Sequence, residues 1–232
     1  MHLSMAYSPP PSKTLRLTNA QVRAALRQAA ARFAERPNPE RPLVLTGLMG
    51  VGKTAVGRRL ARALKVKFID SDMEIERVSC MRIGEIFDRF GEPYFRDRER
   101  AVIERLLDEG PGVIALGGGA FADATTRALV LERGLVVWLR APINVLVERT
   151  GRRDTRPLLK NGDPRTILTD LLAQREAAYA QAPIHCNSGL GRLDWTVLTL
   201  LNRVNKSLFG ASARLKRRRR PKTVSKTVSK TL

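Results

Sequence analysis

Residues Gly47 to Thr54, Gly-Leu-Met-Gly-Val-Gly-Lys-Thr, have the types and spacing to hold a polyphosphate. They fit G-x-x-x-x-G-K-[ST] with an added glycine at position 50. Gly47, Gly50 and Gly52 let the backbone curl so that successive N–H groups face one anion, and a helix opening at Lys53 adds the positive end of its dipole. In such a loop Met49 and Val51 also present backbone to the nucleotide, Lys53 bridges the outer phosphates, and the Thr54 hydroxyl ligates Mg²⁺. A ligand-free glycine turn is the alternative. The flanks argue against it: Leu43-Val44-Leu45 is a buried-strand run, and Ala55 to Leu64 repeats apolar residues at helical spacing.

Two further groups suit phosphoryl transfer. Asp70 and Asp72, one residue apart at the end of the apolar run Val66 to Ile69, offer one carboxylate for the Mg²⁺ shell and one to take or orient the proton of an attacking hydroxyl. A helix cap with a solvated neighbour is the simpler reading of such a pair, and the adjacent phosphate loop weighs against it. Arg96 and Arg175 stand on helical stripes where leucine is expected. Leu168, Leu172, Arg175 and Tyr179 follow steps of four, three and four, and Arg96 shares a face with Ile103 and Leu107. A buried unpaired charge is costly, so each arginine should meet an anion. Arg96 has Glu99 at hand as an internal partner, whereas the acids near Arg175 lie off its face; two guanidinium forks suit a carboxylate-bearing substrate. The loop from Gly151 to Asp163 carries Arg152, Arg153 and Arg156 and reads as a lid able to bring charge over the phosphates, with an exposed loop as the plainer alternative.

The elements that must position these residues alternate. Strands are expected at 43–46, 66–69, 113–116, 135–139 and 184–186, and helices follow each, including a region from about Met73 through Leu107 broken near Gly91-Glu92-Pro93, another from Pro164 to Ala180 and a last one from Asp194 to Leu208. This order predicts an α/β fold: a central parallel sheet between two helical layers, with ligands beyond the carboxyl ends of the strands. At 232 residues and 43% hydrophobic the chain can bury one substantial core. Two cysteines and two histidines exclude a disulfide framework and a histidine metal site. No apolar run approaches the roughly 18 residues of a membrane span.

Charge divides the chain. Of the formal +20, residues 214–232 hold +9 and residues 1–41 hold +5, so residues 42–213 keep only +6. Residues 1–17, with Pro9-Pro10-Pro11, read as disordered. Thr18 or Asn19 caps a helix to about Arg36 with Val22, Leu26, Ala29 and Phe33 on one stripe; it either packs on the domain, stays mobile, or belongs to an arginine-rich transit segment, the last disfavoured because nothing marks a cleavage site. Residues 209–232 read as a disordered basic tail open to non-specific polyanion binding, or simply a solvated one.

Taken together, the chain from about 42 to 208 resembles the shikimate kinase family. The resemblance rests on Gly47 to Thr54, Asp70-Ser71-Asp72, Gly91-Glu92 with Phe95-Arg96-Asp97-Arg98-Glu99, Gly117-Gly118-Gly119, Arg149-Thr150, Arg156-Pro157-Leu158-Leu159, and Arg175 with Tyr179. It implies a P-loop, nucleoside-monophosphate-kinase-like fold with a helical substrate region at about 71–107 and a lid at about 151–163. It also implies transfer of the γ-phosphate of MgATP to the 3-hydroxyl of shikimate. By the same resemblance Asp72 is the base and binds the reacting hydroxyls. Arg96, Arg175 and Gly117 to Gly119 bind shikimate, Lys53 and Arg156 stabilise phosphate charge, Thr54 ligates Mg²⁺ with Asp70 in its outer shell, and Arg149 lies near adenine. A cytoplasmic monomer is expected. His185 to Leu190 matches the family's adenine loop poorly. A gluconate-type sugar-acid kinase and a catalytically idle nucleotide-binding protein acting through its basic tail remain as alternatives. A GTPase is disfavoured, because Asn205-Lys206-Ser207 is followed by Leu208 where guanine selectivity wants aspartate.

Overall fold

The computed structural model describes residues 18–36, 38, 40–151, 162–189 and 191–218, with side chains as far as Phe209. The readings made for residues 1–17, for Arg152, Arg153 and Arg156, and for the tail beyond Arg218 lie outside the described residues.

Five short strands, β1 (Leu43–Thr46), β2 (Lys67–Asp70), β3 (Gly112–Ala115), β4 (Leu135–Arg140) and β5 (Ile184–Asn187), form one parallel sheet in the order β2-β3-β1-β4-β5. All four residues of β1 are buried, as a strand covered on both faces requires. Its side chains alternate between two helical layers. Leu45 reaches the backbone of Gly57 on α2 (Lys53–Leu64), and Val44 faces the junction of α5 (Ala124–Arg133) with β4, where Leu107 of α4 (Ile83–Asp108) also packs. The expected three-layer α/β/α architecture is therefore present.

The helices owe their limits to local chemistry. Asp123 caps α5 and Asp163 caps α7 (Pro164–Tyr179), each accepting the N–H three residues on, and Pro164 occupies the start of α7, where its missing N–H costs nothing. The expected break in α4 is a kink at Gly91, φ 78° and ψ 172°, two residues before Pro93. Between β2 and α4 runs the short α3 (Ser71–Ser79), and α6 (Ile143–Gly151) follows β4.

The N-terminal helix α1 (Asn19–Ala34) begins in a capping box, Thr18 Oγ1 accepting from Gln21 N and Gln21 Oε1 from Thr18 N. Val22, Leu26, Ala29 and Phe33 are all buried against the core, and α1 lies on α8 (Leu193–Arg218) and α2. Burying such side chains contributes roughly 1.5–3 kcal/mol for each large one, which favours docking over a mobile helix. A buried Asn205 Nδ2 on α8 donates to Ala29 O at 2.9 Å. The end expected for the last helix, Leu208, is corrected: its backbone continues to Arg218, because Ala211 to Arg218 are mostly strong helix formers and Pro221 stands beyond them.

Candidate active site

The loops after β1 and β4 leave these neighbouring strands in opposite directions, opening a crevice at the carboxyl edge of the sheet. The phosphate loop fills its centre. Gly47 has φ +135°, and a Cβ there would stand 2.4 Å from the Leu139 carbonyl oxygen on β4, so no other residue fits. Gly50 and Gly52 are also left-handed, and Val51 N donates to Leu48 O, closing a turn. Gly52 caps α2 without a side chain, leaving the first N–H groups of α2 without a side-chain cap. Lys53 opens the helix and folds back over the loop, Nζ donating to Gly47 O at 2.7 Å and Leu48 O at 3.3 Å. Met49 is half-buried.

Thr54 Oγ1 donates to Asp70 Oδ2 at 2.8 Å. This pair offers the hard oxygens that Mg²⁺ prefers, and among the described residues no group of three or more His, Cys, Asp or Glu is placed to cage a metal. The donor set fits an ion that keeps most of its shell as water and phosphate oxygen.

Asp70 serves two purposes: besides Thr54, it caps α3 by accepting Asp72 N at 3.3 Å. The capping reading of this carboxylate and the metal-shell reading are thus compatible. Asp72 sits in the first turn of α3, where burial, and secondly the neighbouring Asp70, push its carboxyl up to about 6, against the pull of Lys53 and Arg96. Its position is fixed by the glycine run after β3. The fully buried Ser71 hydroxyl accepts Gly117 N at 2.8 Å, and a Cβ on Gly117 would lie 2.2 Å from Asp72 Oδ1 and 3.0 Å from Glu99 Oε1. We expect Gly117→Ala to displace Asp72 and lower kcat/KM roughly a hundredfold. The variant should be assayed together with ADP binding, which should not change.

Arg96 and Arg175 meet across a cavity of about 540 Å³ that Glu92, Gly119 and Asp123 also line. Arg96 does form the ion pair its spacing allowed, Nη1 to Glu99 Oε2 at 2.6 Å, with Glu99 only 1% exposed; Glu92 adds a second carboxylate at 2.9 Å. Three of the five guanidinium N–H groups are engaged in these contacts, leaving two for a ligand. Arg175, on the buried stripe of α7 between Leu168 and Tyr179, donates through Nη1 to Gly118 O at 2.9 Å, and Tyr179 Oη donates to the same oxygen at 2.6 Å. Among the described residues Arg175 has no carboxylate partner.

Arg149, near the end of α6, donates to the carbonyls of Ser188 (3.1 Å), Gly189 (2.8 Å) and Val51 (3.4 Å), tying the loop after β5 to the phosphate loop. The structure thus brings together Gly47 to Thr54, Asp70, Asp72, Arg96, Gly117 to Gly119, Arg149 and Arg175. Arg156, with Arg152 and Arg153 of the same loop, falls outside the described residues. Ser71, Glu92 and Ser188 were not singled out as partners. Glu92, four residues before Arg96, could have been found by helical spacing; the contacts of Ser71 and Ser188 span 46 and 137 residues and leave no local signal.

The shikimate kinase family model matches residues 49–204. A shikimate kinase of Novosphingobium aromaticivorans is 56% identical over 172 residues, 72% of this chain and 89% of that protein. Among solved structures, a shikimate kinase from Acinetobacter baumannii in complex with shikimate superposes with TM-score 0.66 at 35% identity, over 78% of this chain and 98% of that one. A gluconokinase from Sinorhizobium meliloti gives TM-score 0.51 at 19% identity over 77% and 99%, a likeness of fold alone.

Proposed function

The chain belongs to the shikimate kinase family, and on that premise we propose how its own residues carry the γ-phosphate of ATP to the 3-hydroxyl of shikimate. The amides of residues 47–54 and the open end of α2 bind the phosphates, and Lys53 moves from its carbonyl partners to the transferring group as charge develops there. Mg²⁺, when bound with the nucleotide, neutralises phosphate charge; Thr54 would hold it directly and Asp70 through water.

Shikimate lies in the cavity with its carboxylate on Arg175 and the two remaining N–H groups of Arg96. The glycines 117–119 leave room for the ring against the backbone, and Asp72 faces the reacting hydroxyls. Raised by burial, Asp72 remains ionised at neutral pH yet is basic enough to accept the hydroxyl proton as the O–P bond forms. The observation that carries this reading is the meeting of an arginine without a carboxylate partner among the described residues, Arg175, and a half-buried carboxylate, Asp72, at the same triple-glycine loop. Arg149 and the loop after β5 form the adenine side of the crevice. Arg156 completes the phosphate charge by the resemblance.

Arg175→Ala is the test. Loss of charge-assisted hydrogen bonds worth ~1.5–3 kcal/mol should raise the KM for shikimate by about tenfold to a hundredfold, with ADP affinity unchanged. Equal loss of nucleotide binding would place Arg175 elsewhere. Arg96→Ala is a poorer probe. It leaves the buried Glu99 without its partner, and breaking such a pair costs roughly 3–5 kcal/mol of stability.

A further inference from the structure

We infer that Ser188 is a positioning residue for phosphate binding, aiming a backbone amide of the phosphate loop from 137 residues away. Ser188 follows β5 and is 3% exposed, and each of its polar groups is engaged. Its N–H donates to Arg140 O at 2.6 Å, fixing it to the end of β4; its carbonyl accepts Arg149 Nη1; its hydroxyl donates to Val51 O at 2.6 Å. Arg149 Nη1 reaches the same Val51 carbonyl at 3.4 Å.

The consequence follows from peptide geometry. In a trans peptide the C=O of one residue and the N–H of the next lie in one plane and point in opposite directions. Holding Val51 O against Ser188 and Arg149 therefore turns Gly52 N–H away from them, toward the concave side of the loop where the phosphates bind. The neighbouring torsions are permissive. Gly52 sits at φ 96°, a torsion open to glycine along with many others, so its own backbone preference does not fix the orientation of this peptide. Val51 N is already occupied by Leu48 O, which leaves the Val51–Gly52 peptide as the part of the turn set from outside. A hydroxyl at the end of β5 thus couples the adenine side of the crevice to the phosphate cradle. The inference rests on the reading of residues 47–54 as that cradle.

The experiment compares wild type, Ser188→Ala and Ser188→Thr, measuring KM for ATP and for shikimate and the affinities of ADP and of Mg-tripolyphosphate, which has no base. Removing the one hydroxyl should weaken ATP, ADP and tripolyphosphate alike, by roughly fivefold to tenfold, with the shikimate KM within twofold of wild type. Threonine, keeping the hydroxyl, should restore them. Unchanged tripolyphosphate binding, or loss of ADP affinity alone, would overturn the inference by placing Ser188 on the base side. A parallel rise in both KM values would overturn it too, as the sign of a merely structural residue. Failure of wild type itself to bind tripolyphosphate would instead remove the phosphate-loop reading on which the inference stands.

Discussion

Lys53→Ala should lower kcat by about a thousandfold or more while the protein remains folded. Lys53 is the cation at the mouth of the phosphate loop, and a preorganised donor aimed at developing charge is worth roughly 10²–10³ in rate even when neutral. Two of its present partners, the carbonyls of Gly47 and Leu48, lie on a turn that Val51 N→Leu48 O closes as well. The melting temperature should therefore change by only a few degrees. Single-turnover kinetics with saturating MgATP and shikimate check the rate, and calorimetry checks the fold. Turnover near wild type would remove Lys53 from the chemistry.

Asp72→Asn should be as damaging to turnover, about 10²–10⁴ in kcat, because the amide accepts no proton. It should also make the protein more stable at pH 8. The native Asp72 carboxyl is raised from 3.8 to about 6, chiefly by burial, so between those values the folded protein binds more protons at this site than the unfolded chain. The wild type consequently loses stability as pH rises through that window, and the loss is complete above it. Asparagine carries no such penalty. The variant's advantage should reach about 1–3 kcal/mol at pH 8 and fade as pH falls toward 4. In wild type the same ionisation should appear as an acid limb in kcat/KM, falling tenfold per unit below about pH 6. Denaturant unfolding at pH 4, 6 and 8 gives the stability, and initial rates give the limb. A variant equally destabilised at every pH would show that Asp72 is a structural residue.

Much of this site could be read from residue order. The phosphate loop announces itself because eight consecutive residues do one job. Arg175 and Arg96 betrayed themselves by sitting on stripes otherwise filled by leucine, isoleucine and tyrosine, and the stripe on α1 predicted each of its four buried residues. The strands came within a residue or two, since runs such as Leu135 to Leu139 must be covered on both faces. What could not be read is contact between distant segments. Gly117 looks like any glycine until Asp72 Oδ1 is found where its Cβ would be. Ser188 lies in a stretch read from the sequence as a poor match to the family's adenine loop, and the partner of its hydroxyl is a backbone carbonyl, which any residue type at position 51 would supply. Asp70 could be read either as a cap or as a metal-shell ligand, and only the three-dimensional arrangement shows one carboxylate placed for both. The α8 extension was missed for a different reason: a run of arginines reads as solvated tail, although arginine is among the better helix formers.

The most direct test of the account is ADP release from MgATP by the purified full chain, measured with shikimate, with gluconate and with neither. Release that depends on shikimate, and that Arg175→Ala reduces through the shikimate KM alone, is the predicted result. Release that depends on gluconate and not on shikimate would contradict the account of the cavity, and equal silence with both acceptors would contradict the account of the reaction.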